Sequence, residues 1–159
     1  IQGIAALHRL SSRQGTKPVE LHALAAEILD LLSASALAPD FRLERRFTGD
    51  ELLLAPSRCT NLALVVNELL LNSMEHAFVG RDFGLIGFDI KAASEETTLT
   101  IYDDGVGLPE GFDPKKATSL GLHIVRTMVE DDLGGRIAFA GENGTRTTIT
   151  LPTGEEEKI

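Results

Sequence analysis

Residues 97–109 read TTLTIYDDGVGLP. The first seven alternate in polarity, the period-two pattern of a half-buried strand. That strand runs onto two adjacent carboxylates, Asp103 and Asp104, and the chain then removes nearly every side chain at Gly105 and Gly107. Asp and Gly both build turns, and a turn alone is enough to explain a lone DxGxG. The other reading is a strand end that presents a carboxylate to a ligand, with glycines that let the backbone pass close to it. The neighbouring segments have to choose.

Just upstream, LIGFDIKA (85–92) is a second alternating strand, separated from the first by SEE (94–96). Downstream, the polar segment EGFDPKKAT (110–118) leads into a helix from about Ser119 to Asp132, which Gly134 and Gly135 terminate. RIAFAGE (136–142) and TRTTITLP (145–152) form a hairpin around Asn143-Gly144, a strong turn signal. Further upstream, Pro56 opens a long helix through Phe78, PSRCTNLALVVNELLLNSMEHAF; its first half is apolar on almost every face, as in a core helix. FRLERRF (41–47) and ELLLA (51–55), joined by TGD, read as another hairpin, and VELHALAAEILDLLSAS (19–35) as a helix. IQGIAALHRLSS (1–12) carries apolar residues at 1, 4, 7 and 10, a narrow stripe suited to a partner helix, and QGTKP (14–18) breaks it. The closing TGEEEKI (153–159) is acidic, has no partner pattern, and reads as a frayed tail. No internal repeat is visible. The expected fold is α+β, a two-layer sandwich of a mixed sheet with helices on one face. It spans residues 19–152, with a single helix over 1–14 ahead of it and the tail 153–159 behind.

Composition narrows the function. The chain has 159 residues, one domain of ordinary size, with 43% hydrophobic and 25% charged residues, a soluble globular profile. No apolar run reaches the roughly eighteen residues of a membrane span and no signal peptide opens the chain, so no membrane contact is expected and the cytoplasm is the expected location. Ile1 is not an initiator, which reads as a fragment of something longer. Cys59 stands alone among apolar neighbours, a structural thiol rather than a nucleophile. A formal net charge of −9 argues against nucleic acid as a partner. An anionic ligand would need local help from a metal ion or a helix N-terminus.

Such help is visible. The long helix is apolar through Val66 and then carries Asn67, Glu68, Asn72, Glu75 and His76. Glu68 and Asn72 are four apart and share a face, while Asn67 lies about 100° round from Glu68. A carboxylate and an amide oxygen one turn apart can hold a hard cation and position a water. A histidine such as His76 is more often a capping or core residue than a catalyst. Ser119 is a plausible N-cap, and the free N–H groups behind it point at an anion.

ELLLN (68–72), DDGVG (103–107), SLGL (119–122) and NGT (143–145) occur in the order and rough spacing of the GHKL ATP-binding domains. Within that superfamily, VVNELLLNSMEHAF, DDGVGLPEGFDP, SLGLHIVRTMVEDDLGG and the final ITLP most resemble the catalytic domain of sensor histidine kinases, in particular those whose phosphoacceptor box reads H-R-x-x-N. The resemblance covers residues 19–152. It implies Mg²⁺ and ATP as cofactors, with Asn72 as the metal ligand and Glu68, or Asn67, as the catalytic polarising group. Asp103 would read adenine, Gly105 and Gly107 would let the backbone approach the nucleotide, and residues 108–118, with Leu108 and Lys116 as nucleotide contacts, would form a lid. Ser119, Leu120, Gly121 and Leu122 would cradle phosphate, Thr145 would back the adenine pocket, and His76 would join the nucleotide-binding set.

There are departures. The Lys or Arg common three residues after the metal-binding Asn is here Glu75, which cannot grip phosphate. Ala117 and Ser119 replace the usual glycines before LGL, which implies a stiffer or shorter lid hinge. The first helix resembles the second helix of a dimerisation hairpin, and His8 lacks the H-R-x-x-N setting, so it reads as a packing or surface residue. The resemblance thus implies transfer of the γ-phosphoryl group to a histidine hairpin supplied elsewhere, a homodimeric longer protein and a response regulator as partner. An anti-sigma-factor type of serine kinase, a gyrase-like ATPase machine and a nucleotide-binding module without chemistry are the alternatives. The partner-seeking stripe of residues 1–12 favours the sensor kinase.

Overall fold

In this computed structural model the described residues are 17–116, 119–154 and 157–158. The helix expected over residues 1–14, with His8, lies outside them. Strand β1 (Val19–Glu20) turns directly into helix α1 (Leu21–Ala36), because the Glu20 carboxylate accepts the amides of His22 and Ala23 at 2.9 and 2.7 Å. A side chain on these first free N–H groups sets the helix start two residues later than the sequence pattern. Strands β2 (Arg42–Gly49) and β3 (Leu52–Leu54) precede the long helix α2 (Pro56–Asn72), whose backbone widens into a π turn over Ser73–Ala77. Strands β4 (Phe83–Ala92) and β5 (Glu96–Asp103) come next. Helix α3 (Leu120–Thr127) also ends in a π turn, Met128–Asp132, and strands β6 (Arg136–Ala140), β7 (Arg146–Pro152) and β8 (Glu157–Lys158) complete the described chain.

The main sheet has the order β2-β4-β5-β7-β6, with β2 parallel to β4 and every other pair antiparallel. Its buried positions alternate: Ile86, Phe88 and Ile90 on β4, Leu99 and Ile101 on β5, Ile149 and Leu151 on β7. They join Leu62, Val65, Val66 and Leu70 of α2, Leu24, Ile28 and Leu32 of α1 and Val125 of α3 in one core. The intervening positions, such as Thr98, Thr100, Thr148 and Thr150, are only partly covered. One face of the sheet therefore carries the helices, as a mixed two-layer sandwich requires. Cys59 is half-buried, and burial pushes its thiol up, away from the thiolate a nucleophile needs.

Two segments depart from the sequence reading. FRLERRF and ELLLA are not a hairpin. β2 lies in parallel beside β4, from Arg42 opposite Phe83 to Gly49 opposite Ile90, whereas β3 pairs with β1 and β8 in a separate small sheet. Parallel neighbours need a crossover, and α2 is that crossover. The TGD turn serves as a break instead: Gly49 has φ +91°, the Asp50 amide donates to Ile90 O at 2.8 Å, and the Asp50 carboxylate accepts the Ala92 amide. The charged, largely exposed β2 suits an outer edge, while Leu52 and Leu54 are buried. The second departure is the acidic tail: Glu157 and Lys158 lie opposite Leu53 and Leu52 as a short third strand of the small sheet.

Candidate functional site

Where α2 gives way to its π turn, successive residues are turned toward the sheet. Such turns recur at functional sites. Asn72, Ser73, His76 and Ala77 line one wall of a cavity of about 410 Å³, Leu69 from the preceding turn joining them. The opposite side comes from the end of β5 (Ile101, Asp103), from Thr145 just ahead of β7 and Thr147 on it, and from Phe139 on β6. Val106 through Pro109, with Phe112, form the lip, and Ser119 and Leu122 bring in the start of α3.

Asp103 is 5% exposed, and three donors hold its carboxylate. Oδ1 accepts the amides of Gly105 at 3.0 Å and Thr145 at 3.1 Å; Oδ2 accepts the Ser73 hydroxyl at 2.8 Å. Asp104 serves elsewhere. It accepts the Leu85 amide at 2.9 Å and pairs with Arg81 at 3.1 Å. The two glycines differ as well. A Cβ on Gly105 would overlap Ala77, whose carbonyl accepts the Val106 amide, so this glycine lets the loop pack on the helix end. It does not line the cavity, and the close approach that demands it is to protein rather than to the cavity. Gly107 does line it, with φ +79°, a conformation that favours glycine.

Ser119 caps α3, accepting the Leu122 amide at 3.3 Å, as the sequence implied. Leu120 is 74% exposed, and Gly121 packs beneath Glu68: a Cβ there would come within 2.6 Å of the Glu68 carboxylate. Glu68 thus stands at the first turn of α3, one helical turn from Asn72. Asn67 does not join them. It is 5% exposed and its Oδ1 has no hydrogen-bond partner, and neither it nor Glu68 lines the cavity itself. His76 sits on the rim, largely exposed and 3.9 Å from Glu75. Lys116 is exposed near Asp113 and does not reach the cavity.

Sequence reasoning missed several residues. Ser73 follows Asn72 as an isolated hydroxyl in an apolar run, and Thr147 lies two residues beyond Thr145 on the same strand face; both are detectable from periodicity. The fastenings of the cavity lip are long-range and were not. Phe112 meets Phe139 edge-on at 5.9 Å, and Arg126 of α3 donates to Pro114 O at 3.4 Å. Among the described residues no three His, Cys, Asp or Glu side chains gather as a metal site, and no helix is long and apolar enough to cross a membrane. A larger basin of about 1080 Å³ runs along β2, the start of β4 and the end of β5, lined by Arg42, Arg46, Tyr102 and Arg146 and sharing Asp103 and Thr145 with the first cavity. It is broader and shallower, and it includes none of Asn72, Ser119 or Leu122.

Residues 59–155 match the family model described as histidine kinase-, DNA gyrase B-, and HSP90-like ATPase. The sensor histidine kinase PdtaS of Mycobacterium tuberculosis is 31% identical over 163 residues, covering 100% of this chain and 32% of that protein. The chain therefore spans about a third of the length of that relative. Among solved structures, the histidine kinase domain of a blue-light-activated histidine kinase from Erythrobacter litoralis superposes with a TM-score of 0.74 at 25% identity, covering 94% of this chain and 71% of that one. The nucleotide-free catalytic domain of histidine kinase ThkA shares the fold, with a TM-score of 0.68 at 22% identity over 86% of this chain and 96% of that one. With its capped α3, its Asp103 strand end and its π-turned core helix on one cavity, the chain belongs to the histidine kinase-, DNA gyrase B- and HSP90-like ATPases and has the fold of a sensor histidine kinase catalytic domain.

Proposed function

We propose that this chain binds Mg-ATP in the α2–α3 cavity and transfers the γ-phosphoryl group to a histidine on a dimerisation hairpin in two-component signalling. The observation that carries the reading is the Asp103 carboxylate, held by three donors on the cavity wall with Asn72 and the capped start of α3 close by. A carboxylate there accepts from an amino-bearing purine, and the free amides of α3 receive phosphate.

The residues present fit Mg²⁺. Asn72 offers a side-chain amide oxygen on the cavity wall, and with no acidic cluster among the described residues a hard cation would take its other oxygens from phosphate and water. When bound, the ion neutralises phosphate charge. The need is marked, since among the described residues no Lys or Arg lines the cavity. Asn72→Ala should weaken ATP binding much more with Mg²⁺ present than in EDTA; calorimetry showing equal losses would make Asn72 merely structural.

Glu68, beside the first turn of α3, is the better candidate than Asn67 for the group that polarises the incoming histidine. Asn67 is buried, 5% exposed, and has no contact with the start of α3 comparable to that of Glu68 on Gly121. Glu68→Gln retains shape but removes the base, so transfer to a supplied phosphoacceptor hairpin should fall about 10²-fold or more. Unchanged transfer would return the role to the histidine itself. A homodimer of a longer protein, a response regulator as phosphoryl recipient and a cytoplasmic location belong to the same reading. Glu75 and the lack of cationic cavity residues support one alternative, a module that binds nucleotide without chemistry. Tight ATP binding with no transfer to any hairpin would favour it.

A further inference from the structure

Ser73 opens the π turn directly after Asn72, is 9% exposed, and lines the cavity together with Asp103. Its Oγ donates to Asp103 Oδ2 at 2.8 Å. On the other carboxylate oxygen, the amides of Gly105 and Thr145 occupy both lone-pair directions. Oδ2, with a single donor, keeps one acceptor position. A serine hydroxyl has one hydrogen, and here it is committed to the carboxylate, so Ser73 shows the cavity only lone pairs. The pair presents acceptors and no donor.

We propose that Ser73 is a positioning and specificity-determining residue: by committing its proton to Asp103 Oδ2 it fixes the carboxylate and keeps this part of the cavity acceptor-only, which selects a purine bearing an amino group over one bearing an oxo group. The inference rests on the nucleotide reading above. An exocyclic amino group donates to this pair. An oxo group in its place faces acceptor with acceptor, and buried mismatches of that kind are strongly rejected. Without the hydroxyl, the carboxylate loses a charge-assisted bond and gains room for a water. A water can turn either a hydrogen or a lone pair toward the base. Selectivity then falls while the phosphate contacts stay intact.

ADP and IDP differ only along one edge of the base, where the 6-amino group becomes an oxo group and N1 gains a hydrogen, so calorimetry of both with Mg²⁺ isolates that edge. The unmodified chain should prefer ADP by about 10²-fold or more, and Ser73→Ala should narrow that ratio about tenfold. The isosteric pair Ser73→Thr and Ser73→Val has the same shape with and without the hydroxyl. Thr should keep the preference and Val should narrow it, which decides the matter even if the Ala variant unfolds. A ratio in the Ala or Val variant equal to that of the unmodified chain, whatever happens to affinity, overturns the role of Ser73 and leaves the adenine reading standing. An unmodified chain that binds both nucleotides equally, or neither, overturns the nucleotide reading and the Ser73 role with it.

Discussion

Asp103 and Asp104 share a sequence context and nothing else. The pleat turns neighbouring side chains to opposite sides of the strand end. One carboxylate enters the cavity wall; the other closes the far side of the sheet onto Leu85 and Arg81. Asp103→Ala should therefore abolish most adenine-nucleotide affinity, a loss of about 10²-fold or more. Asp104→Ala should leave affinity within about threefold but lower stability by about 1 kcal/mol, since the Leu85 amide and the Arg81 guanidinium lose their partner. Nucleotide titrations and urea unfolding of the two variants check this. Equal losses of affinity would mean that DDGVG is only a structural turn.

The elements around the cavity are fastened unevenly. Its floor is strand and helix, but its lip hangs on the Phe112–Phe139 ring contact and the Arg126–Pro114 hydrogen bond. An edge-to-face aromatic pair contributes on the order of 1 kcal/mol. Phe112→Ala should accordingly raise the nucleotide dissociation rate about three- to tenfold and change association little, as most affinity changes do. Stopped-flow with a fluorescent ATP analogue measures both. Unchanged dissociation would mean that the lip does not hold the ligand. Strand order was less legible than helix identity. The TGD break has the composition of a hairpin turn, and only the docking of α2 across the sheet reveals that β2 runs parallel to β4.

For the molecule as a whole, binding and acceptance of phosphoryl are separate capacities. None of the four histidines, His8, His22, His76 and His123, stands in an H-R-x-x-N setting. His22 is half-buried and occupied, between the Thr48 carbonyl and the rings of Phe47 and Phe88. The chain should bind Mg-ATP yet acquire no acid-labile phosphate when incubated with γ-labelled ATP, while labelling a supplied hairpin that carries the acceptor histidine. Stoichiometric labelling of the chain itself would sink this prediction.

By itself the sequence determined most element types and several of the polar residues that line the cavity, Asn72, Asp103, Ser119 and Thr145 among them. Amphipathic period, capping by Ser119, the Asn143-Gly144 turn and the Glu68/Asn72 spacing are local, and local rules act over a few residues. The separation of Glu68 from Asn67, the hold of Ser73 on Asp103 and the contacts of Phe112 and Pro114 at the cavity lip were decided by tertiary structure alone. Each joins residues far apart in the chain, or depends on which arc of a helix meets a neighbour. Gly105 makes the point most plainly. Its place in DxGxG was visible in the sequence, but the atom its missing Cβ makes way for belongs to Ala77, twenty-eight residues earlier, and only the packed helix end brings it there.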